Sequence, residues 1–252
     1  MCMKALQLAG QIIMENGGEA YRVEETVTRM GQAFGLKNVE SFAVPSGVFV
    51  SYEREDGTHE TAVLRVHRRD INLTRVDAVN QISRQAEHGE INAAQALHAL
   101  EHIANLRVFA PHQLVVAAGV SACAWSVMFG GGVPDFFIGF IIGVLVELLN
   151  QWLGKHQIHS FMATLVCSFF ATLIPQLLCH LLGTGSPEAY IAGALMPLLP
   201  GLSMTNAVHD TMRGDIVSGA SHGLSAVLCA GMIAGGALSA SSLFHLLIGG
   251  LL

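Results

Sequence analysis

Asn206, Asp210 and Asp215 stand where an apolar chain seldom carries such groups. They follow Pro197-Leu-Leu-Pro200-Gly201, share the stretch with His209, and lie between two apolar segments. Two prolines and a glycine interrupt a helix there, and within lipid the backbone that proline frees must be satisfied by neighbouring helices, side chains or water. Ionisable groups at membrane depth are costly and by default mark a pathway. Pro200 and Gly201 strengthen that reading, since broken helices commonly frame transporter sites. If the helix resumes after the break, Asn206 and Asp210 are four residues apart and share a face. Asp215 follows Gly214 and opens the next apolar segment, where a helix N-terminus favours an anion or an anionic ligand. Two readings stand: a cytoplasmic loop ending in a helix cap, or the inner mouth of a solute pathway lined by Asn206, Asp210 and Asp215.

Two further groups are candidates for moving protons. Glu147 lies in or near the end of an apolar segment, where it relays protons or reaches the headgroups. His222 sits between Gly219 and Gly223. It is either a buried neutral imidazole with a hydroxyl partner such as Ser218 or Ser225, or a titrating group, since histidine changes charge near neutrality. His180 and His245 read as interfacial. No His/Asp/Glu grouping has secure metal-ligand spacing, and no cofactor is implied. The five cysteines have neither metal nor redox spacing and read as small buried hydrophobes. In the first part of the chain Glu24, Glu25, His59, His67, Arg68 and Arg69 read as solvated helix and strand faces. Ser46 in Pro-Ser-Gly is a turn residue before it is a nucleophile, so no catalytic residue is assigned.

The elements that must position these groups divide by composition. The chain has 252 residues, 52% of them hydrophobic, and a mean hydropathy of +0.49, beyond an average soluble domain. All but Lys155 and Arg213 of its 13 Lys and Arg precede Pro111. This predicts a water-facing domain over 1–110 and a membrane domain over 111–252. The net charge of −6 divides evenly between them, with no basic patch of the kind nucleic acid calls for. The N-terminus lacks the long apolar core of a signal peptide, so the first domain is expected in the cytoplasm.

Apolar periodicity predicts helices over 3–15 and 22–34, the first closed by Asn16-Gly17-Gly18. Strands follow at 39–44, 48–52 and 61–66, with Asp56-Gly57 as a hairpin signal. Helices at about 74–87 and 92–105 complete the domain, Asn92 serving as an N-cap. The order is ααβββαα, an α+β arrangement, followed by an all-α polytopic domain of about five transmembrane helices. Those spans are expected near 114–129, 136–153, 158–182, 190–206 and 216–240, with 241–252 too short to assign. Five spans place Arg107, Lys155 and Arg213 on one side, which orients the bundle with its C-terminus outside. Glycine pairs at 139/143, 219/223 and 231/235 predict close helix packing, more on protein than on lipid.

Two separated motifs resemble the threonine/serine exporter family, over nearly the whole chain. One is cytoplasmic: Gly18-Glu-Ala-Tyr21-Arg22-Val-Glu24-Glu25, the Pro45-Ser-Gly47 turn, and His67-Arg68-Arg69 with Asn72-Leu73. The other is the membrane signature: Leu199-Pro200-Gly201, Thr205-Asn206-Ala207, Asp210, Gly214-Asp215 and Ser218-Gly219. The resemblance implies secondary export of small hydrophilic metabolites, proton-coupled, from a multi-pass protein of the bacterial inner membrane. It brings Pro200, Gly201 and Ser218 into the site beside Asn206, Asp210 and Asp215. Full-length members imply threonine and serine as cargo, and the split two-component branch implies succinate or related dicarboxylates. Full-length members carry about twice as many spans, so the resemblance implies a second small membrane subunit and is compatible with a higher oligomer. The acids at 210 and 215 suit an amino group better than a dicarboxylate. Two other readings remain open: a membrane-tethered hydrolase-like enzyme acting through the first domain, and a non-transporting scaffold or sensor.

Overall fold

The computed structural model describes residues 1–67, 71–106, 109–183 and 185–249. Arg68, Arg69 and Arg107, which the sequence reading used, lie outside the described residues, as do residues 250–252 of the unassigned C-terminal segment.

The chain forms two compact units, one of Met1–Val108 with Leu202–Leu224 and the other of Phe109–Gly201 with Ser225–Leu252. The first opens with α1 (Cys2–Glu15) and α2 (Ala20–Ala33), followed by β1 (Lys37–Val44), β2 (Gly47–Glu53) and β3 (His59–Arg65), then α3 (Leu73–Glu87) and α4 (Ala93–Asn105). This is the expected ααβββαα order. The strands pair antiparallel in the order β1-β2-β3. Leu6 and Ile13 of α1, Val23, Val27 and Met30 of α2, Val48 and Val50 of β2, Val79 of α3 and Leu100 of α4 form its core. Alternation puts Val48 and Val50 inside, while Phe42, Phe49 and Val63, cross-strand neighbours on the other face, are exposed. Gly17 (φ +87°) ends α1 in the left-handed region that only glycine adopts at no steric cost. Asn92 caps α4 in a reciprocal capping box with Gln95, as its position predicts. Asn16, buried at the end of α1, accepts from Arg75 Nη1, and Arg75 also holds the Leu106 carbonyl, tying α1, α3 and the end of α4 together.

The second unit contains α5 (Pro111–Met128), α6 (Val133–Lys155), α7 (Ser160–Leu182) and α8 (Pro187–Leu195). α5 and α6 cross closely at Gly139 and Gly143. A Cβ at Gly139 would lie 2.6 Å from Ser126 Oγ, and one at Gly143 would lie 2.6 Å from Ala122 Cβ. Tyr190, fully buried on α8, donates to Asp135 at the start of α6. Pro175 lies inside an unbroken α7.

The last two helices are α9 (Gly201–Arg213) and α10 (Ile216–Gly249). The expected end of the fifth span at 240 is not a helix end. α10 continues through the following apolar residues as one helix of 34 residues, because Ser241-Ser242 lacks any proline or glycine to stop it. Among the described residues α6, α7 and α10 are long and apolar enough to cross a membrane, and α8 with α9 qualifies as a single broken span, giving three or four. The expected count was five. α5, the first expected span, opens with Pro-His-Gln and is not among them.

Candidate functional site

The break between α8 and α9 follows from local chemistry. Met196–Leu198 tightens into a 3₁₀ turn, and Leu199 is extended (φ −65°, ψ 136°), as the residue before a proline tends to be. The carbonyl of Leu198, freed by the break, accepts from the Cys229 thiol at 3.8 Å. The helix restarts at Gly201 and runs through Asp210, so Asn206 and Asp210 do share a face.

That face is the buried one. Asn206 and Asp210 are the only buried residues of α9, 3% and 0% exposed respectively, whereas Met204, Val208 and Met212 are exposed. In a water-surrounded helix the apolar stripe would face the core. Here the polarity is inverted, with polar groups inside and apolar groups outside. α10 begins the same way: Ile216 and Val217 are exposed and Ser218 is buried.

The surroundings of the buried face come from the N-terminal part of the same unit. Asn206 Nδ2 donates to the Gly17 carbonyl at 3.2 Å. Asp210 lies where α2 begins. It faces the Ala20 amide, with the carboxylates of Glu19 and Asp215 and the imidazole of His209 nearby. His222 Nε2 is 3.9 Å from Asp210 Oδ2, and neither carboxylate oxygen of Asp210 completes a hydrogen bond of ordinary geometry. Ser218 Oγ donates to the Ala43 carbonyl at 3.3 Å, and the Ala43 amide donates to Glu24 Oε1 at 2.9 Å. One residue of the edge strand β1, Ala43, is therefore held through its N–H from α2 and through its carbonyl from α10. Tyr21 packs on His209 at 5.2 Å between ring centroids and carries the Arg213 guanidinium 3.7 Å above its ring. Gly214 (φ +96°) turns the chain from α9 into α10, and the Asp215 amide caps α9 by donating to the Asp210 carbonyl. At Gly219 a Cβ would lie 2.2 Å from Thr211 Oγ1, so the two helices meet backbone to backbone.

Burial and charge also act on the α2 side of this cluster. Burial raises the Glu24 carboxyl above its ordinary value, the Ala43 amide opposes the rise, and the carboxylate of Asp215 adds to it. At Glu19 burial is outweighed by the hydrogen bond and charge of Arg22 and by His209, and the carboxyl is lowered.

The structure thus brings Asn206, Asp210, Asp215, Ser218 and His222 together. Pro200 and Gly201 make the break, although a Cβ at Gly201 would meet open space, so close packing does not require glycine there. Glu147, on α6 in the other unit, is half-buried and accepts from Gln151 at 2.9 Å and Asn150 at 3.4 Å. Sequence reasoning on the residues placed His209 in the stretch without giving it a role, and missed Glu19, Tyr21 and Arg213 as neighbours of this site. The signal was present, since Tyr21 belongs to the Gly18–Glu25 motif. That motif and the one over 199–219 meet in space. Among the described residues no three His, Cys, Asp or Glu are grouped to hold a metal ion.

A polytopic apolar chain whose broken helix turns its acid inward defines a membrane-embedded transport protein. Residues 4–244 match the family described as "Putative threonine/serine exporter" (ThrE), and the chain belongs to that family, a family of transporters rather than enzymes. It is 29% identical over 212 residues to the Escherichia coli K12 protein named "Probable succinate transporter subunit YjjP", covering 83% of this chain and 82% of that one. A Klebsiella aerogenes protein of the same name is 28% identical over 208 residues, covering 82% and 80%. An uncharacterized protein of Schizosaccharomyces pombe is 22% identical over 242 residues, which are 93% of this chain and 29% of that one. No solved structure matches the chain.

Proposed function

We propose that the chain is one subunit of a secondary transporter that exports small hydrophilic metabolites, serine/threonine-type amino acids or succinate-type dicarboxylates, with a second small membrane subunit. In this reading residues 1–110 face the cytoplasm, residues 111–252 lie in the bacterial inner membrane, and export is coupled to protons. The observation that carries it is the inverted helix α9, which hides Asn206 and Asp210 and presents Met204, Val208 and Met212 outward. A buried acid at membrane depth is costly and by default marks a pathway for a proton or a cargo group. The subunit designation of the two bacterial relatives supports the partner.

Transport follows from relief of that burial. When the α9–α10 pair leaves the Gly17 carbonyl and the Ala43 carbonyl, Asn206, Asp210 and Ser218 become available to a solute, and His222 receives or returns the proton of Asp210. Glu147 is a second proton-handling candidate. The test is counterflow of radiolabelled serine, threonine and succinate in vesicles holding this chain with and without its partner subunit, at two pH values. Flux is expected only with the partner, and Asp210→Asn and Asn206→Ala abolish it. Undiminished flux in both variants would remove the site.

A further inference from the structure

Beside the buried cluster, and within the same unit, lies an open cleft of about 820 Å³. One wall is the polar face of α2, where Tyr21, Glu24, Glu25 and Arg29 succeed one another at helical spacing. β1 contributes Glu40, the end of α3 contributes Glu87, and the end of α9 contributes Arg213. The charges are already partly spoken for. Arg29 bridges Glu25 at 2.5 Å and Glu87 at 3.5 Å. One further cation among the lining residues remains for Glu24 and Glu40, Arg213, whose guanidinium carbon sits 3.7 Å from the centre of the Tyr21 ring. Stacking on the ring face orients a guanidinium while leaving its N–H edge open to a carboxylate. Glu24 is half-buried and holds only a backbone amide, and its carboxyl is raised by burial and by Asp215, which marks a carboxylate short of a counter-cation.

We propose that this cleft binds a small zwitterion, its ammonium on Glu24 and its carboxylate on Arg213, and that it selects such a solute over a dicarboxylate. A dicarboxylate would meet four acids and two guanidiniums, one already engaged, and such like-charge juxtaposition is how a site rejects a partner. Arg213 stands three residues beyond Asp210 on α9, so a solute held here waits next to the buried face. Its role as a collecting site rests on the transporter reading, whereas binding does not.

The test is calorimetric titration of the full-length purified chain in lipid nanodiscs with L-threonine, L-threonine amide and succinate. Threonine binds and succinate does not. Glu24→Gln and Arg213→Gln each weaken threonine by about tenfold or more, the scale of one lost charge-assisted hydrogen bond. Threonine amide, which lacks the carboxylate, is insensitive to Arg213→Gln, and Arg213 is on the exposed rim, so that variant keeps its fold. Absence of threonine binding, equal binding of succinate, or threonine affinity unchanged in both variants overturns the proposal. Threonine bound through Glu24 and Arg213 without flux in any vesicle sinks the transporter reading and leaves the cleft standing. Flux with threonine binding indifferent to both variants does the reverse.

Discussion

The carboxylate of Asp210 is shut away from water and faces an imidazole at 3.9 Å. Removing its charge as Asn should keep the shape and stop counterflow, which separates a functional acid from a packing residue. Ser218 is a different case, since its hydroxyl satisfies the Ala43 carbonyl. Ser218→Ala leaves that acceptor unmet and should cost about 1 kcal/mol of stability, read as a lower thermal midpoint in detergent. Glu24 makes a pH prediction. Its folded carboxyl is raised above the ordinary 4.5, so the folded state holds the proton more tightly than the unfolded one. Its contribution to stability is full below the ordinary value and is lost as pH rises through the folded value. Glu24→Gln, permanently neutral, should therefore melt higher than wild type near neutral pH and alike in acid. Equal midpoints at both would show that Glu24 is not strained.

At the scale of elements, the helix break and the α9–α10 hairpin set the geometry. Glycine pairs that look alike in sequence differ here. Gly219 is pressed on Thr211, with the Ala207 carbonyl 2.9 Å from a built Cβ, whereas Gly223 has only the Ala207 Cβ at 3.8 Å. Gly219→Ala should destabilise by about 1–3 kcal/mol through overpacking, while Gly223→Ala should be neutral or gain up to about 1 kcal/mol in helix propensity. Thermal midpoints of the two variants decide it. The third expected pair fails: Gly231 and Gly235 meet open space, and the close approach falls on Gly236, against Ser168 and the Leu165 carbonyl. Periodicity located the helix but could not say which side of it meets α7, because all three glycines lie within two turns. The start of α10 at Ile216 and the restart of the helix after Pro200 were legible, since proline and glycine act through their own dihedrals.

At the scale of the whole molecule, most of the apolar surface of the spans is not covered by this chain. Only 17% of the most apolar window of α10 is buried, and 28% of those of α6 and α7. The expectation that these helices pack mainly on protein is therefore unmet within the chain, leaving their outer faces to lipid or to a second subunit. Orientation can be checked directly. In a cysteine-free background, a single cysteine at Glu55 should resist a membrane-impermeant maleimide in intact cells. Labelling of Glu55→Cys would overturn the cytoplasmic placement of the first domain.

Hydropathy, charge distribution and turn residues act over a few neighbours, and from them the sequence alone determined the two compositional halves, the ααβββαα order, the broken helix and the common face of Asn206 and Asp210. What surrounds that face was settled only by tertiary packing. Asn206 meets Gly17 across 189 residues of chain, Ser218 meets Ala43 across 175, and Arg213 comes to rest on Tyr21. No local propensity encodes such encounters. They exist because a hairpin with polar groups on its inner side finds the unpaired carbonyls of a loop and an edge strand, and a buried polar group must find a partner.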